Sequence, residues 1–262
     1  MWVKITFGKT EGLMEILTNA PTVTIDGLEL PIQNVGKDGK IYNCYVEPLE
    51  KIKREIDAML SHHDKVFVLR FDIHVHTYSQ TNAVISTFRK NYAARVKRYY
   101  KTKNVAYVWC REVEKKKKQH YHFAVIVDGN QTWVAGALLA MAAEVASVQD
   151  LSIGYCDSPS YLIRRADLAK GDYSTYNEAF HRLSYLAKER GKTIKAERAK
   201  SYHTSRIDPR LNENGKVFMA GDDYKKWVTD KAKNNKVRRI KSTANPLITA
   251  MTDDERQLPL FA

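Results

Sequence analysis

Two histidines, His120 and His122, stand one residue apart in the segment QHYHFAVIV at residues 119–127. Side chains alternate between the two faces of a strand, so both imidazoles of this β-prone segment are expected on one face. Neutral imidazole is the commonest protein ligand for divalent metals, and a carboxylate often joins such a pair. The spacing therefore predicts a metal site that needs an acidic third ligand.

The preceding segment offers two acidic candidates, Glu112 and Glu114. A lysine-rich polar turn separates the two segments, which indicates an antiparallel hairpin. If the turn holds three residues, 115–117, Glu112 lies opposite His120 and on the same face. An even-numbered turn would present Arg111 there instead. Glu112 is the preferred third ligand, and Glu114 is the alternative.

A second pair with the same spacing, His74 and His76, ends a strand and runs into the polar stretch TYSQTN. Such pairs arise often by chance, and this one has no apolar strand after it. We expect His74 and His76 at the sheet edge or on the substrate side, not as ligands.

A tyrosine lies on the polar side of the helical segment NEAFHRLSYLAKERG at residues 177–191. At about 100° per residue, Phe180 and Leu183 fall on an apolar stripe, and Tyr185 falls opposite it beside Lys188. An ammonium group favours the phenolate, so Tyr185 is a candidate nucleophile. The alternative is a surface tyrosine beside a surface lysine, in a chain with 15 tyrosines.

The composition favours a nucleic-acid partner. The formal net charge is +13 and the pI is about 9.5, which suits a polyanion better than a small neutral ligand. Three widely spaced cysteines make neither a disulfide framework nor a zinc knuckle.

The start MWVKITFGK lacks the apolar run of a signal peptide, and the apolar stretch at 133–146 is too short to span a bilayer. A soluble intracellular protein without membrane contact is expected.

Periodicity and turn signals predict an α+β fold with a mainly antiparallel central sheet and flanking helices. Strands are expected near residues 1–45, at 65–75 and in the hairpin, with helices at 47–61, 81–101, 133–148 and 172–190. The strand at 65–75 reads as apolar on both faces and hence interior. The predicted domains are 1–200, whose first 45 residues are β-rich, a basic extension at 201–245 and a flexible tail at 246–262.

Three stretches in order carry a resemblance to a known family: VLRFDIHV, YVWCREVEKKKKQHYHFAVIV and RLSYLAK. Over about residues 47–204, the chain resembles HUH endonucleases that initiate rolling-circle replication. It is more closely similar to the replication initiators related to the inovirus gene-2 product, found in bacterial prophages and satellites. Tyr121, the middle residue of the histidine motif, fits the family pattern only loosely.

The resemblance implies an HUH/Rep fold of the RRM-like type and a cytoplasmic location in a bacterial host. It implies His120, His122 and Glu112 as ligands of Mg²⁺ or Mn²⁺, Tyr185 as nucleophile and Lys188 as its accompanying lysine. The expected reaction nicks single-stranded origin DNA, leaves a 5′-phosphotyrosine and frees a 3′-hydroxyl for rolling-circle synthesis. The positions of a second tyrosine in two-tyrosine relatives hold other residues here, which indicates a single-tyrosine enzyme.

The basic helix at 81–101 is the candidate surface for the phosphate backbone, with tyrosines that could stack on bases. Its predicted DNA-binding residues are Arg89, Lys90, Arg95, Lys97, Arg98 and Tyr99. Tyr92 and Tyr100 are further stacking candidates. A merely solvated basic surface is the alternative reading of this helix.

The chain ends QLPLFA, and Gln-Leu-x-Leu-Phe resembles the peptide by which bacterial replication proteins dock on the polymerase sliding clamp. The predicted clamp-binding residues are Gln257, Leu258, Leu260 and Phe261. The alternative is an apolar terminus that folds back on the core.

Two other functions stay open on the sequence alone. One is a relaxase or single-strand transposase with the same chemistry, and the other is a non-catalytic DNA-binding regulator. The sequence contains no P-loop, so a helicase activity would have to come from a host partner.

Overall fold

The structure is a computed structural model that describes residues 6–10, 13–36, 38–114, 118–156, 159–189, 200–212 and 217. Among these residues, no helix is long and apolar enough to cross a bilayer.

Strands and helices interleave along the described residues. The strands are β1 Thr6–Thr10, β2 Leu13–Thr18, β3 Thr22–Ile25, β4 Leu28–Pro31, β5 Cys44–Tyr45, β6 Lys65–Val75, β7 Ala106–Glu114, β8 Lys118–Asp128, β9 Leu151–Gly154, β10 Ser160–Arg164 and β11 Tyr202–Thr204. The helices are α1 Val46–His62, α2 Ala83–Tyr100, α3 Gly136–Ser147, α4 Arg165–Leu168 and α5 Ser174–Ser184, and a 3-10 turn, Tyr185–Ala187, follows α5.

A six-stranded sheet forms the centre of the fold, with strands in the order β10-β6-β8-β7-β11. The short strand β9 pairs with the end of β6, beside β10, and every pairing in this sheet is antiparallel. The predicted α+β fold with a mainly antiparallel sheet is confirmed, and β6 is an interior strand as expected. A smaller sheet, β1-β2-β5, and a β3-β4 hairpin precede it.

The hairpin between β3 and β4 turns at Asp26-Gly27, where φ is 52° and 78°. Positive φ at both positions suits a tight two-residue turn, which Asp-Gly adopts readily because glycine has no Cβ. The turn places the chain that follows β4 next to α5, where it later contacts the functional site.

Helices cover both faces of the central sheet. The even-numbered residues of the middle strands, such as Val68 and Ile126, pack with α1 and α5. The odd-numbered residues, such as Phe71 and Phe123, pack with α2 and α3. This alternation follows from the period of two in a strand, and it decides which side chains can share a site.

The helix predicted over 172–190 ends earlier than expected. The backbone leaves the helical region at Lys188, where ψ is 140°, and Lys188 pairs with Cys44 in an isolated antiparallel bridge. This pairing with a distant segment cannot coexist with a continued helix. The domain boundaries at residues 200 and 245 stay predictions. Among the described residues, the last strand of the sheet begins at Tyr202.

Candidate active site

The hairpin of β7 and β8 brings the three predicted ligands together. Glu112 pairs with His120, and Cys110 pairs with His122, as an odd-numbered connection requires. Paired residues in an antiparallel ladder project to the same face, so Glu112 and both histidines share one face. The predicted register is confirmed, whereas residues 115–117 and the side chain of Glu114 lie outside the described part.

The ligating atoms converge in a buried group. The Nε2 atoms of His120 and His122 lie 3.5 Å and 3.1 Å from Oε2 of Glu112. All three residues are buried, and one ligating atom from each lies within 4.8 Å of the others. Two imidazole nitrogens and a carboxylate oxygen make a donor set suited to a divalent metal.

Asp72 of β6 orients the second histidine, and sequence reasoning did not identify it. Asp72 pairs with His122 in the strand register, and its Oδ1 lies 2.6 Å from Nδ1 of His122. In this short contact Nδ1–H of His122 donates to the carboxylate of Asp72, which leaves the Nε2 lone pair facing Glu112. A lone pair and a carboxylate oxygen repel each other unless a cation or proton lies between them. The arrangement therefore fits a bound divalent cation.

The imidazole of His122 lies between the carboxylates of Asp72 and Glu112, and these two carboxylates favour a positive charge on it. Burial opposes the charge of His122, but Asp72 and Glu112 outweigh burial and raise the pKa of His122 above 6.5. Burial would raise the pKa of Asp72, yet the hydrogen bond from His122 and the nearby cations lower it below 3.8. A proton on His122 and a metal ion at its Nε2 therefore compete for one position.

Tyr185 lies against the metal-ligand group, in the 3-10 turn after α5. Its ring stands perpendicular to that of His122, with 5.0 Å between the centroids. Burial, and then the charge of Glu112, raise the pKa of Tyr185 to about 12. The phenol is thus protonated at neutral pH, and the predicted effect of a nearby ammonium group does not prevail over burial.

Lys188 adjoins Tyr185 as the spacing predicts, but it is not a surface residue. Its side chain is buried, and Nζ lies 4.5 Å from the centroid of the Tyr185 ring and 5.8 Å from that of Tyr42. Nζ also donates a hydrogen bond to the carbonyl of Val35, 3.0 Å away. The reading of a surface tyrosine beside a surface lysine is therefore wrong.

The metal-ligand group and Tyr185 open into one cleft of about 750 Å³. His74 lines it from β6 and is exposed, with its ring 6.1 Å from that of His120. The other lining residues outside the ligand group are Gln33, Val35, Gly36, Asp38, Tyr42, Arg70, Asp72, Tyr155, Cys156, Arg182 and Lys188. Arg70, Asp72 and His74 occupy every second position of β6. This period of two in polar residues is the sequence pattern that could have identified the β6 wall of the cleft.

Gln33 and Asn43 hold the turn that carries Tyr185. The backbone N–H of Gln33 donates to Oγ of Ser184 at 2.8 Å. The backbone N–H of Glu189 donates to the carbonyl of Asn43 at 2.9 Å. These contacts join segments about 150 positions apart, which local sequence patterns do not reveal.

The predicted DNA-binding residues of α2 lie on the opposite face of the sheet from the cleft. Arg89 stacks over Tyr107 with 5.4 Å from Cζ to the ring centroid, and Arg95 forms an ion pair with Glu144 of α3. Tyr99 is 64% exposed, but Tyr92 is fully buried. Tyr92 therefore cannot stack on bases, because it shares the core-facing stripe of α2. The predicted clamp-binding residues Gln257, Leu258, Leu260 and Phe261 lie outside the described part.

Comparison with known proteins identifies the family of the chain. No curated protein matches the chain. A solved structure, the N-terminal nuclease domain of the non-structural protein 1 of minute virus of mice, is 8% identical, with a TM-score of 0.17. The alignment covers 71% of this chain and 93% of that domain. A model of the YagK/YfjJ C-terminal domain matches residues 34–205, which include Glu112, His120, His122 and Tyr185. The chain belongs to the YagK/YfjJ C-terminal domain family.

Proposed function

We propose that the protein is a metal-dependent nickase of single-stranded DNA that initiates rolling-circle replication through a single catalytic tyrosine. The observation that carries this proposal is the convergence of Glu112, His120 and His122 with Tyr185 in one cleft. A hydrolase with a water nucleophile would not need a phenol at this position. The resemblance of the HYH and YLAK segments to HUH initiators supports the same reaction.

Glu112, His120 and His122 would hold Mg²⁺ or Mn²⁺, which supplies charge stabilisation at a phosphoryl oxygen when bound. Tyr185 gives up its proton to solvent water, and its oxygen attacks the phosphorus of the scissile linkage in line. The bond from phosphorus to the 3′ oxygen breaks, and that oxygen takes up a proton from solvent water to become a 3′-hydroxyl. Lys188 lies beside the phenolate that forms during this step and stabilises its charge.

The product is a 5′-phosphotyrosine on Tyr185, and it keeps the strand attached. Because a phenol has a lower pKa than an alkyl alcohol, even where burial raises it, it leaves more readily, and a sugar hydroxyl can reverse the reaction. The same chemistry serves a relaxase or a single-strand transposase. Those functions differ from replication initiation in the fate of the freed 3′ end. The cleavage chemistry in the cleft is the same for all of them.

The proposal is tested with a library of randomised single-stranded DNA incubated with the protein and Mn²⁺. Covalent adducts are isolated under denaturing conditions, and their DNA is sequenced to find the preferred cleavage site. We expect adducts with the wild-type protein and none with Tyr185→Phe. Tyr155→Phe is the matched control, because Tyr155 lines the same cleft and is 71% exposed.

Two results would decide against this proposal. Cleavage without attached protein would indicate a water nucleophile. DNA binding without any cleavage, in wild type and Tyr185→Phe alike, would favour a non-catalytic regulator on this fold.

The proposed partners are a single-stranded replication origin and the bacterial sliding clamp. Gln257, Leu258, Leu260 and Phe261 would dock on the clamp and bring polymerase to the new 3′ end. Replacing Leu260 and Phe261 by alanine should abolish binding to purified clamp and leave DNA cleavage unchanged. Binding that persists in this variant would show that the terminal motif is not the docking element.

A further inference from the structure

Arg70 places a buried cation inside the cleft. It lies on β6, two residues before Asp72, and only 5% of its surface is exposed. Its guanidinium carbon lies 4.5 Å from the centroid of the Tyr185 ring. Arginine keeps its charge at any ordinary pH, so a full positive charge stands next to the candidate nucleophile.

The neighbours of Arg70 leave the donors on Nη2 and Nε without a hydrogen bond. Nη2 forms an ion pair with Oδ1 of Asp72 at 3.7 Å, a distance that is too long for a hydrogen bond. Nη2 is 3.2 Å from Nδ1 of His122, but that nitrogen directs its proton to Asp72 at 2.6 Å. Two donors therefore face each other there, and no hydrogen bond forms. Among the described residues, the buried Nε of Arg70 has no hydrogen-bond partner either.

The ion pair with Asp72 offsets part of the cost of burying the guanidinium, but its unused donors stay costly until a second anion binds there. A phosphodiester suits the position, because its two non-bridging oxygens match the planar fork of arginine. Lys188 is less suited to this role, since its Nζ already donates to Val35 and lies between two tyrosine rings.

We propose that Arg70 is a catalytic residue that binds a non-bridging oxygen of the scissile phosphodiester of single-stranded DNA. This inference rests on the proposed function. Arg70 contacts both Tyr185 and the histidine next to it, so a phosphate held there lies beside the nucleophile and the metal ligands. The guanidinium neutralises the negative charge that grows on the oxygen as the Tyr185 oxygen bonds to phosphorus.

The test uses the cleavage site found with the randomised library, carried on two oligonucleotides. One has the normal linkage, and the other has a methylphosphonate at the scissile position, which removes the charge of one non-bridging oxygen. We expect Arg70→Ala to slow adduct formation roughly 100–1000-fold on the normal linkage. On the methylphosphonate, Arg70→Ala and wild type should react within a few-fold of each other, because the charge that Arg70 neutralises is gone.

Matched variants separate this role from a structural one. Arg164→Ala makes the same substitution at an exposed position of β10 and should behave as wild type on both linkages. Arg70→Lys keeps the charge but loses the fork, so an intermediate rate is expected. An equal loss for Arg70→Ala on both linkages would overturn the inference, and so would an unchanged rate on the normal linkage.

If the wild-type protein cleaves no DNA, the proposed function fails. A second measurement then tests separately whether Arg70 forms an anion site. Inorganic phosphate is titrated into the Mn²⁺-loaded wild type, Arg70→Ala and Arg164→Ala proteins by calorimetry. Arg70→Ala alone should lose affinity, by roughly 10–100-fold, since a hydrogen-bonded charge pair is removed. Equal affinities in all three proteins would contradict an anion site at Arg70.

Discussion

At the scale of single residues, the candidate centre depends on how one imidazole is oriented. His122 can present Nε2 to a metal because its Nδ1–H donates a hydrogen bond to Asp72. Carboxylates in this position fix the tautomer of a ligating histidine and increase its basicity. The residue that completes the centre is therefore not a ligand, and the ligand spacing did not indicate it.

Asp72→Asn should weaken Mn²⁺ binding by about 10–100-fold while the ligands stay in place. The amide accepts a hydrogen bond less strongly than the carboxylate, so it holds His122 less firmly. Calorimetric titration with Mn²⁺ measures this loss. Asp128→Asn is the matched control, because Asp128 pairs with His63 at 3.3 Å, and neither residue belongs to the metal-ligand group. Equal affinities for Asp72→Asn and wild type would contradict the orienting role.

Metal affinity should fall as the pH falls. The pKa of His122 is raised above 6.5, and a protonated imidazole cannot bind a metal. Protons therefore compete with the ion at a higher pH than they would at an ordinary histidine. Titrations with Mn²⁺ at several pH values between about 6 and 8.5 check this. An affinity that stays constant over this range would show that His122 is not a ligand.

At the scale of secondary-structure elements, the position of Tyr185 depends on the 3-10 turn after α5 and not on α5 itself. The helical period of the sequence continues through Lys188, so it predicts one helix to residue 190. The structure ends α5 at Ser184, because Gln33 bonds to the Ser184 hydroxyl and Cys44 pairs with Lys188. These partners are distant in sequence, and only the folded chain brings them together.

Ser184→Ala should lower the free energy of unfolding by roughly 1–3 kcal/mol, since it leaves the N–H of Gln33 without its acceptor. It should also slow adduct formation, because the Tyr185 turn loses a restraint. Urea unfolding measures the first effect. Ser147→Ala is the matched control: Ser147 makes the same hydroxyl bond three residues back, but at an exposed site. We expect that control to stay within about 0.5 kcal/mol of wild type.

The register of the β7–β8 hairpin could be predicted from the sequence. The connection length fixes the register, and the period of two then puts Glu112 and His120 on one face. The same reasoning failed for the cleft wall on β6, where Arg70 and Asp72 were passed over in a strand read as apolar. Which polar side chains of an interior strand face an open cleft depends on helix placement, and that placement is a tertiary property.

At the scale of the whole molecule, the sheet separates two surfaces. The cleft opens on the face covered by α1 and α5, and the basic helix α2 covers the other face. The whole chain carries a net charge of +13, which favours association with a polyanion. DNA bound at the cleft would reach α2 only by passing around the edge of the sheet.

Replacing Lys97 and Arg98 by alanine should weaken single-stranded DNA binding and leave the cleavage rate at saturating DNA unchanged. Both side chains are exposed on α2. Each phosphate that is no longer neutralised should reduce the salt dependence of binding, by about 0.7 in the logarithmic slope. Fluorescence anisotropy at several salt concentrations gives affinity and slope together. An unchanged slope would show that this face is a solvated surface outside the DNA path.

The most direct test of the central claim is to find which tyrosine carries the DNA. Adducts made with the selected oligonucleotide and Mn²⁺ are digested with nuclease and protease, and the peptide that bears a nucleotide is sequenced by mass spectrometry. We predict the modification on Tyr185, beside His122. A modification on Tyr42 or Tyr155, the other tyrosines that line the cleft, would contradict the assignment of the nucleophile.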